Sequence, residues 1–173
     1  MYDEVVVKQA IAIHTKTYGV APTAVAYAPG RVEVLGNHTD YNEGTVFSAA
    51  INMGHCFCIS AAGKPGVRLT AGDLLAASEA QIISGGNRAM PVSTTEFDHA
   101  SDERMPKNVQ WANYVKGVMF YLRDQKVEID SVDCTFLGSI PMGAGLSSSA
   151  ALEVATAFAV LEYTGKTLDK KEI

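Results

Sequence analysis

The chain has 173 residues, 47% of them hydrophobic and 19% charged, which is the balance of a packed globular protein with a core of one ordinary domain. A formal net charge of −5 argues against a nucleic-acid backbone or an anionic membrane as the principal partner, because both select a basic surface. No apolar run reaches the roughly eighteen residues of a membrane span, and Met1-Tyr2-Asp3-Glu4 has no basic start before an apolar stretch, so a cytoplasmic protein with no membrane partner is expected.

In chain order, Asp3 to Tyr18 reads as an amphipathic helix, with Val6, Ala10, Ile13 and Thr17 at helical spacing and Gly19 as its stop. Thr23 to Ala28 and Val32 to Leu35 read as short extended segments on either side of Pro29-Gly30. The turn signal Asn42-Glu43-Gly44 feeds two strands, Thr45 to Ile51 and His55 to Ala61, and Val67 to Ala71 and Ala80 to Ile83 continue the run. Cys56 and Cys58 alternate within a strand and share a face. No second ligand pair stands at zinc spacing, so reduced core cysteines are expected.

Ser84 to Asn108 is polar and broken by Gly85-Gly86, Pro91 and Pro106, which predicts an exposed loop. Trp111 to Arg123 returns to helical period, with Trp111, Tyr114, Val115, Val118 and Leu122 as its apolar stripe. Val132, Cys134 and Phe136 alternate as a half-buried strand, and Leu146 to Tyr163 makes an Ala-rich helix ending near Gly165. The order of strands and helices shows no regular βαβ repeat, which favours an α+β fold with a mixed sheet. Thr167 and Asp169 are helix-start residues, and Leu168 with Lys170 to Ile173 would be a first turn with no continuation, so a piece of a longer protein is expected. His14, His55 and His99 have no partner spacing and read as structural or exposed.

The segment from Pro141 to Ala151, Pro-Met-Gly-Ala-Gly-Leu-Ser-Ser-Ser-Ala-Ala, follows a strand and opens a helix. Its glycines and Ala144 let the backbone approach a ligand, and Ser147, Ser148 and Ser149 set hydroxyls beside the unpaired N–H groups of a first helical turn. The helix dipole is positive at that end, so triphosphate oxygens and a bound Mg²⁺ can share the site. A Gly/Ser linker would not stand between two core-like segments, and a plain helix cap needs one hydroxyl. The Gly-Lys-Ser/Thr ending of a Walker A loop is absent.

This loop resembles the ATP-binding signature of the GHMP kinases. Within that family the chain resembles galactokinases: Ala28-Pro29-Gly30-Arg31-Val32 followed by Gly36-Asn37-His38-Thr39-Asp40-Tyr41-Asn42 is similar to their sugar signature, and the segment from Trp111 to Val118 to their next block. The resemblance implies ATP and Mg²⁺ as cofactors, a galactose-like sugar as substrate and phosphoryl transfer to the anomeric hydroxyl. It implies Arg31 as the cation beside the transferring phosphate, and Asn37, His38, Thr39 and Asp40 as sugar contacts. Gly143, Ala144, Gly145, Leu146, Ser147, Ser148 and Ser149 would hold the phosphates, Ser149 also meeting Mg²⁺. Trp111 and Tyr114 would serve either the adenine side or helix packing.

Two departures qualify what the resemblance implies. Galactokinases usually carry Glu where this chain has Asn37, which removes a charge-assisted hydrogen bond and opens the choice of sugar to a relative such as N-acetylgalactosamine. The family's catalytic Asp and acidic Mg²⁺ ligand lie downstream of the phosphate loop, beyond Ile173, so this chain alone is expected to be inert and, with surface laid bare, to self-associate. A non-catalytic sugar and ATP sensor is the rival class. Mevalonate kinase activity is disfavoured by His38-Thr39-Asp40-Tyr41-Asn42, a run suited to polyhydroxylated ligands.

Overall fold

A computed structural model describes residues 2–36, 42–83, 92–141 and 143–169. Its elements run α1 (Glu4–Tyr18), β1 (Ala24–Leu35), β2 (Phe47–Ala61), β3 (Val67–Ala71), α2 (Gly72–Ile83), β4 (Thr94–Phe97), a 3-10 turn (Lys107–Ala112), α3 (Asn113–Asp124), β5 (Val132–Gly138) and α4 (Ser148–Thr164). The strands form one mixed sheet in the order β1-β2-β5-β3-β4, in which only β3 and β5 run parallel. This is the α+β architecture expected, a mixed sheet packed with helices.

Alternation along β2 sorts the two faces. Phe57 and Ile59 join Leu69, Cys134, Phe136, Leu152, Ala155 and Val115 in the larger core, under α3 and α4. Cys56 and Cys58 turn the other way onto Val6, Ala10 and Leu137, under α1. All three cysteines are free and buried. The α1 face is polar at its far end: His14 bonds Thr135 Oγ1 (3.1 Å) and Ser60 Oγ (2.9 Å), and Tyr18 meets Thr70 Oγ1 (2.9 Å) and donates to the Cys134 carbonyl. Arg68 makes a two-pronged pair with Asp133 and lies over the Tyr18 ring. These contacts give His14, Tyr18, Arg68 and Asp133 partners on the α1 face.

Several expected elements differ. The segments flanking Pro29-Gly30 form one strand, because β1 lies at the sheet edge, where a residue without an N–H is tolerated. The register slips between Pro29 and Arg31. The two strands expected around Met53 are likewise one, and Gly54 makes room for Tyr27, whose hydroxyl donates to the Asn52 carbonyl. Ala80 to Ile83 is the end of helix α2, not a strand; a short apolar run cannot be told from a helix tail by periodicity. The polar segment expected as loop contains β4, a four-residue edge strand with only Phe97 buried. Strand β5 is central and buried from Val132 to Leu137, not half-buried, because its polar Asp133 and Thr135 have partners on the α1 side. On α1 the buried stripe ends with His14.

The helix expected from Trp111 is split. Val109, at φ −131, breaks the 3-10 turn that carries Trp111, and α3 starts at Asn113 with Val115, Lys116, Met119 and Leu122 as its buried face. Of the helix turn expected at the chain's end, Thr167 to Asp169 are not helical and residues 170–173 lie outside those described; Leu168 packs on the core. Among the described residues, no helix is long and apolar enough to cross a membrane.

Candidate functional site

Strand β5 leads into the loop at Pro141 and the loop into α4, so the loop stands at the helix N-terminus. The helix begins at Ser148, two residues later than its apolar pattern suggests, because the preceding residues are not helical. Gly143 (φ 73), Gly145 (φ 69) and Ser147 (φ 59) are left-handed while Ala144 and Leu146 are not. Alternating hand turns successive N–H groups toward one side, the concavity that binds anions. Ser147 makes no side-chain cap to the helix, which leaves the first turn open to an outside acceptor.

The strand carrying Arg31 touches this loop. The Arg31 amide donates to the Leu146 carbonyl at 3.1 Å. A Cβ on Gly30 would stand 2.7 Å from that same carbonyl oxygen and 2.8 Å from Ile140 Cδ1, so only glycine admits the approach. The Arg31 side chain is 61% exposed, with Nε 3.8 Å from Glu33 Oε2. Ser48 Oγ donates to the same oxygen, which steadies Glu33 beside the cation.

Asn37, His38, Thr39 and Asp40 lie outside the described residues. Gly143 to Ser147 form a loop and Ser148 and Ser149 the first turn of α4, and the loop's Leu146 is bonded to the Arg31 amide. Trp111 packs edge-on to Phe136 (centroids 5.7 Å apart) against the core, and Tyr114 is 46% exposed in a groove of about 370 Å³ between α3 and α4 that Glu153 and Val154 also line. His55 was legible only as structural or exposed. It is buried, and its Nε2 lies 2.8 Å from Ser148 Oγ. The two residues are 93 positions apart, and no local pattern joins them. Burial pushes the His55 imidazole down to about 4, so it is neutral at pH 7.

The loop suits a phosphate chain: it offers backbone N–H groups, a helix N-terminus and hydroxyls, and the backbone of Arg31 is bonded to it. For a divalent cation it offers hydroxyl oxygen, and among the described residues no cluster of three acidic, histidine or cysteine side chains assembles to hold one. A Mg²⁺ here would travel with the nucleotide phosphates.

Residues 12–61 match the galactokinase galactose-binding signature, and residues 113–173 match the GHMP kinases N terminal domain. A galactokinase of Roseiflexus sp. (strain RS-1) is 36% identical over 156 residues, covering 90% of this chain and 34% of its own. One of Limosilactobacillus fermentum (strain NBRC 3956 / LMG 18251) is 37% identical over 139 residues, 80% of this chain and 32% of its own. Among solved structures, Lactococcus lactis galactokinase complexed with galactose superposes with a TM-score of 0.69 at 27% identity, over 94% of this chain and 38% of that one. Methanococcus jannaschii mevalonate kinase shares the fold, with a TM-score of 0.67 at 19% identity over 86% of this chain and 42% of that one. The chain thus spans about a third of the length of the curated relatives it matches.

Proposed function

Because this chain belongs to the GHMP kinases, on their galactokinase branch, we propose that it serves an ATP-dependent sugar kinase transferring the γ-phosphoryl of ATP to the anomeric hydroxyl of galactose. The observation that carries this reading is the hydrogen bond from the Arg31 amide to the Leu146 carbonyl, which seats the strand of the sugar signature directly on the phosphate loop. A phosphoryl donor held by the loop and an acceptor held beyond Arg31 would meet at the guanidinium.

In this reading Gly143 to Ser149 hold the phosphates, and Ser149 is the protein contact to Mg²⁺, which neutralises phosphate charge when bound. Arg31 faces the transferring group and stabilises charge developing on its oxygens. Asn37, His38, Thr39 and Asp40 hold the sugar, Asp40 accepting from hydroxyls. The sugar oxygen attacks the γ-phosphorus, the bond to the β–γ bridging oxygen breaks, and ADP leaves. The hydroxyl proton goes to a base which we assign, with the acidic metal ligand, to the part of the relatives' length this chain does not span. On that assignment this chain is the N-terminal domain of the enzyme, and by itself it binds nucleotide without turning it over.

Asn37 favours a second reading of the substrate, N-acetylgalactosamine, since an amide can donate and accept where the family's carboxylate only accepts. The test is a panel of galactose, N-acetylgalactosamine and mevalonate offered with ATP to the full-length protein. Sugar-1-phosphate from galactose supports the first reading, and product from N-acetylgalactosamine alone the second. ATP and sugar binding without product would instead establish a sensor.

A further inference from the structure

His55 stands on β2 on the face that α4 covers, level with Gly138 of β5 and Ala28 of β1. Its ring is enclosed. A Cβ at Gly138 would fall 2.3 Å from ring Cε1 and 2.5 Å from Nδ1, so the strand opposite surrenders a side chain to make room for the imidazole. Phe136 closes another side, with centroids 6.2 Å apart. The residue is 5% exposed. Within this enclosure, among the described residues, Nε2 meets Ser148 Oγ at 2.8 Å, while Nδ1 is buried and has no partner.

That imbalance fixes where the proton sits. A proton on Nδ1 would be a buried N–H donor with no protein partner among the described residues, the rarer and costlier kind of unsatisfied group, whereas a bare Nδ1 leaves only an unused lone pair. We therefore infer that His55 is a positioning residue for the phosphate loop: its Nε2–H donates to Ser148 Oγ and turns the serine hydroxyl hydrogen outward, so that Ser148 meets a nucleotide phosphate as a donor. The inference rests on the reading of the loop as a nucleotide-phosphate site. A free serine hydroxyl rotates and can present a lone pair to an incoming anion; Ser148 has that option removed before the ligand arrives. Ordering the rotor in advance lowers what binding must supply.

The tautomer can be read without mutation. In ¹⁵N-histidine-labelled protein, long-range proton–nitrogen correlation should show His55 with a protonated Nε2 and an unprotonated Nδ1; the reverse pattern overturns the inference. The functional arm uses calorimetric titration of the 173-residue chain and the full-length protein with MgATP and with magnesium tripolyphosphate as a sugar-free, base-free probe. His55→Leu should weaken both ligands about tenfold, and His55→Gln, which returns an amide donor near the Nε2 position, should recover most of that loss. In the double variant with Ser148→Ala, His55→Leu should add no further loss; independent, additive losses would show a merely structural role and overturn the inference. Circular dichroism checks that each variant is folded. Should His55→Leu fail to fold, the tautomer and His55→Gln decide: a correct tautomer with near-normal affinity supports the inference, and tenfold weaker binding by a folded His55→Gln overturns it. If the wild-type protein binds neither probe, the phosphate-loop reading falls and this inference with it. If wild type binds and His55→Leu binds equally well, only the role of His55 falls.

Discussion

Arg31 divides its roles between backbone and side chain. Its amide is committed to Leu146, and its guanidinium is largely in solvent, so truncating the side chain should leave the fold intact. In the full-length protein Arg31→Ala is expected to lower kcat by about 10²- to 10³-fold with little change in melting temperature, and Arg31→Lys to recover part of the loss, because charge returns without the planar fork. Steady-state kinetics that leave kcat of Arg31→Ala within about twofold of wild type would remove the guanidinium from charge stabilisation. Gly30→Ala is the complementary change. Its Cβ meets a backbone carbonyl 2.7 Å away, which cannot rotate aside, so the loop must shift. A stability loss of about 1–3 kcal/mol is expected in chemical denaturation, together with weaker ATP binding. Both residues were legible in the sequence because their motif is contiguous. His55 was not, because its partner comes from the far side of the fold and only burial reveals it.

Elements show the same division between local and long-range information. Helices α1 and α4 were legible to within two residues because their stop glycines, Gly19 and Gly165, take left-handed caps. Strand β4 was not, since an edge strand that buries a single side chain leaves little hydrophobic pattern. The full burial of β5 was hidden by Asp133 and Thr135, polar residues whose partners Arg68 and His14 come from β3 and α1. Pairing also constrains sequence where no side chain exists. Gly138 faces His55 across the β2–β5 ladder, and Gly138→Ala should push the ring off Ser148. Thermal melts should show it destabilised by about 1–3 kcal/mol, and ATP binding should weaken in parallel. A variant that melts lower and keeps wild-type ATP affinity would separate the ladder from the loop.

For the whole molecule, the two buried histidines set a response to acid. Burial pushes His14 down to about 4 against the opposing pull of Asp133, and His55 to about 4 as well. An unfolded imidazole titrates near 6.5, so between about pH 6.5 and 4 the unfolded chain binds more protons than the folded one. Stability is therefore full above that window and falls as pH drops through it, by on the order of 3 kcal/mol per histidine at the acid end. Urea titrations across pH 7.5 to 4.5 check this, and a free energy flat with pH would contradict it. Among the described residues, exposed apolar side chains include Val34, Leu35, Val46 and Phe47 on β1, β2 and the segment before β2, and Tyr114, Tyr121, Val154 and Phe158 on α3 and α4. We expect the 173-residue chain to self-associate through such surface, and light scattering that shows only monomer at high concentration would count against it.

If the proposed reading of the loop holds, the bond between Arg31 and Leu146 would also make one proton a reporter for two ligands. An amide exchanges with solvent only when its hydrogen bond opens, and this one opens only if the loop parts from the strand. Deuterium uptake at Arg31 should therefore slow when ATP fills a loop more than a hundred residues further along the chain, with no sugar present. The same amide, followed during a sugar titration, would register whether the sugar also stabilises the contact between the strand and the loop.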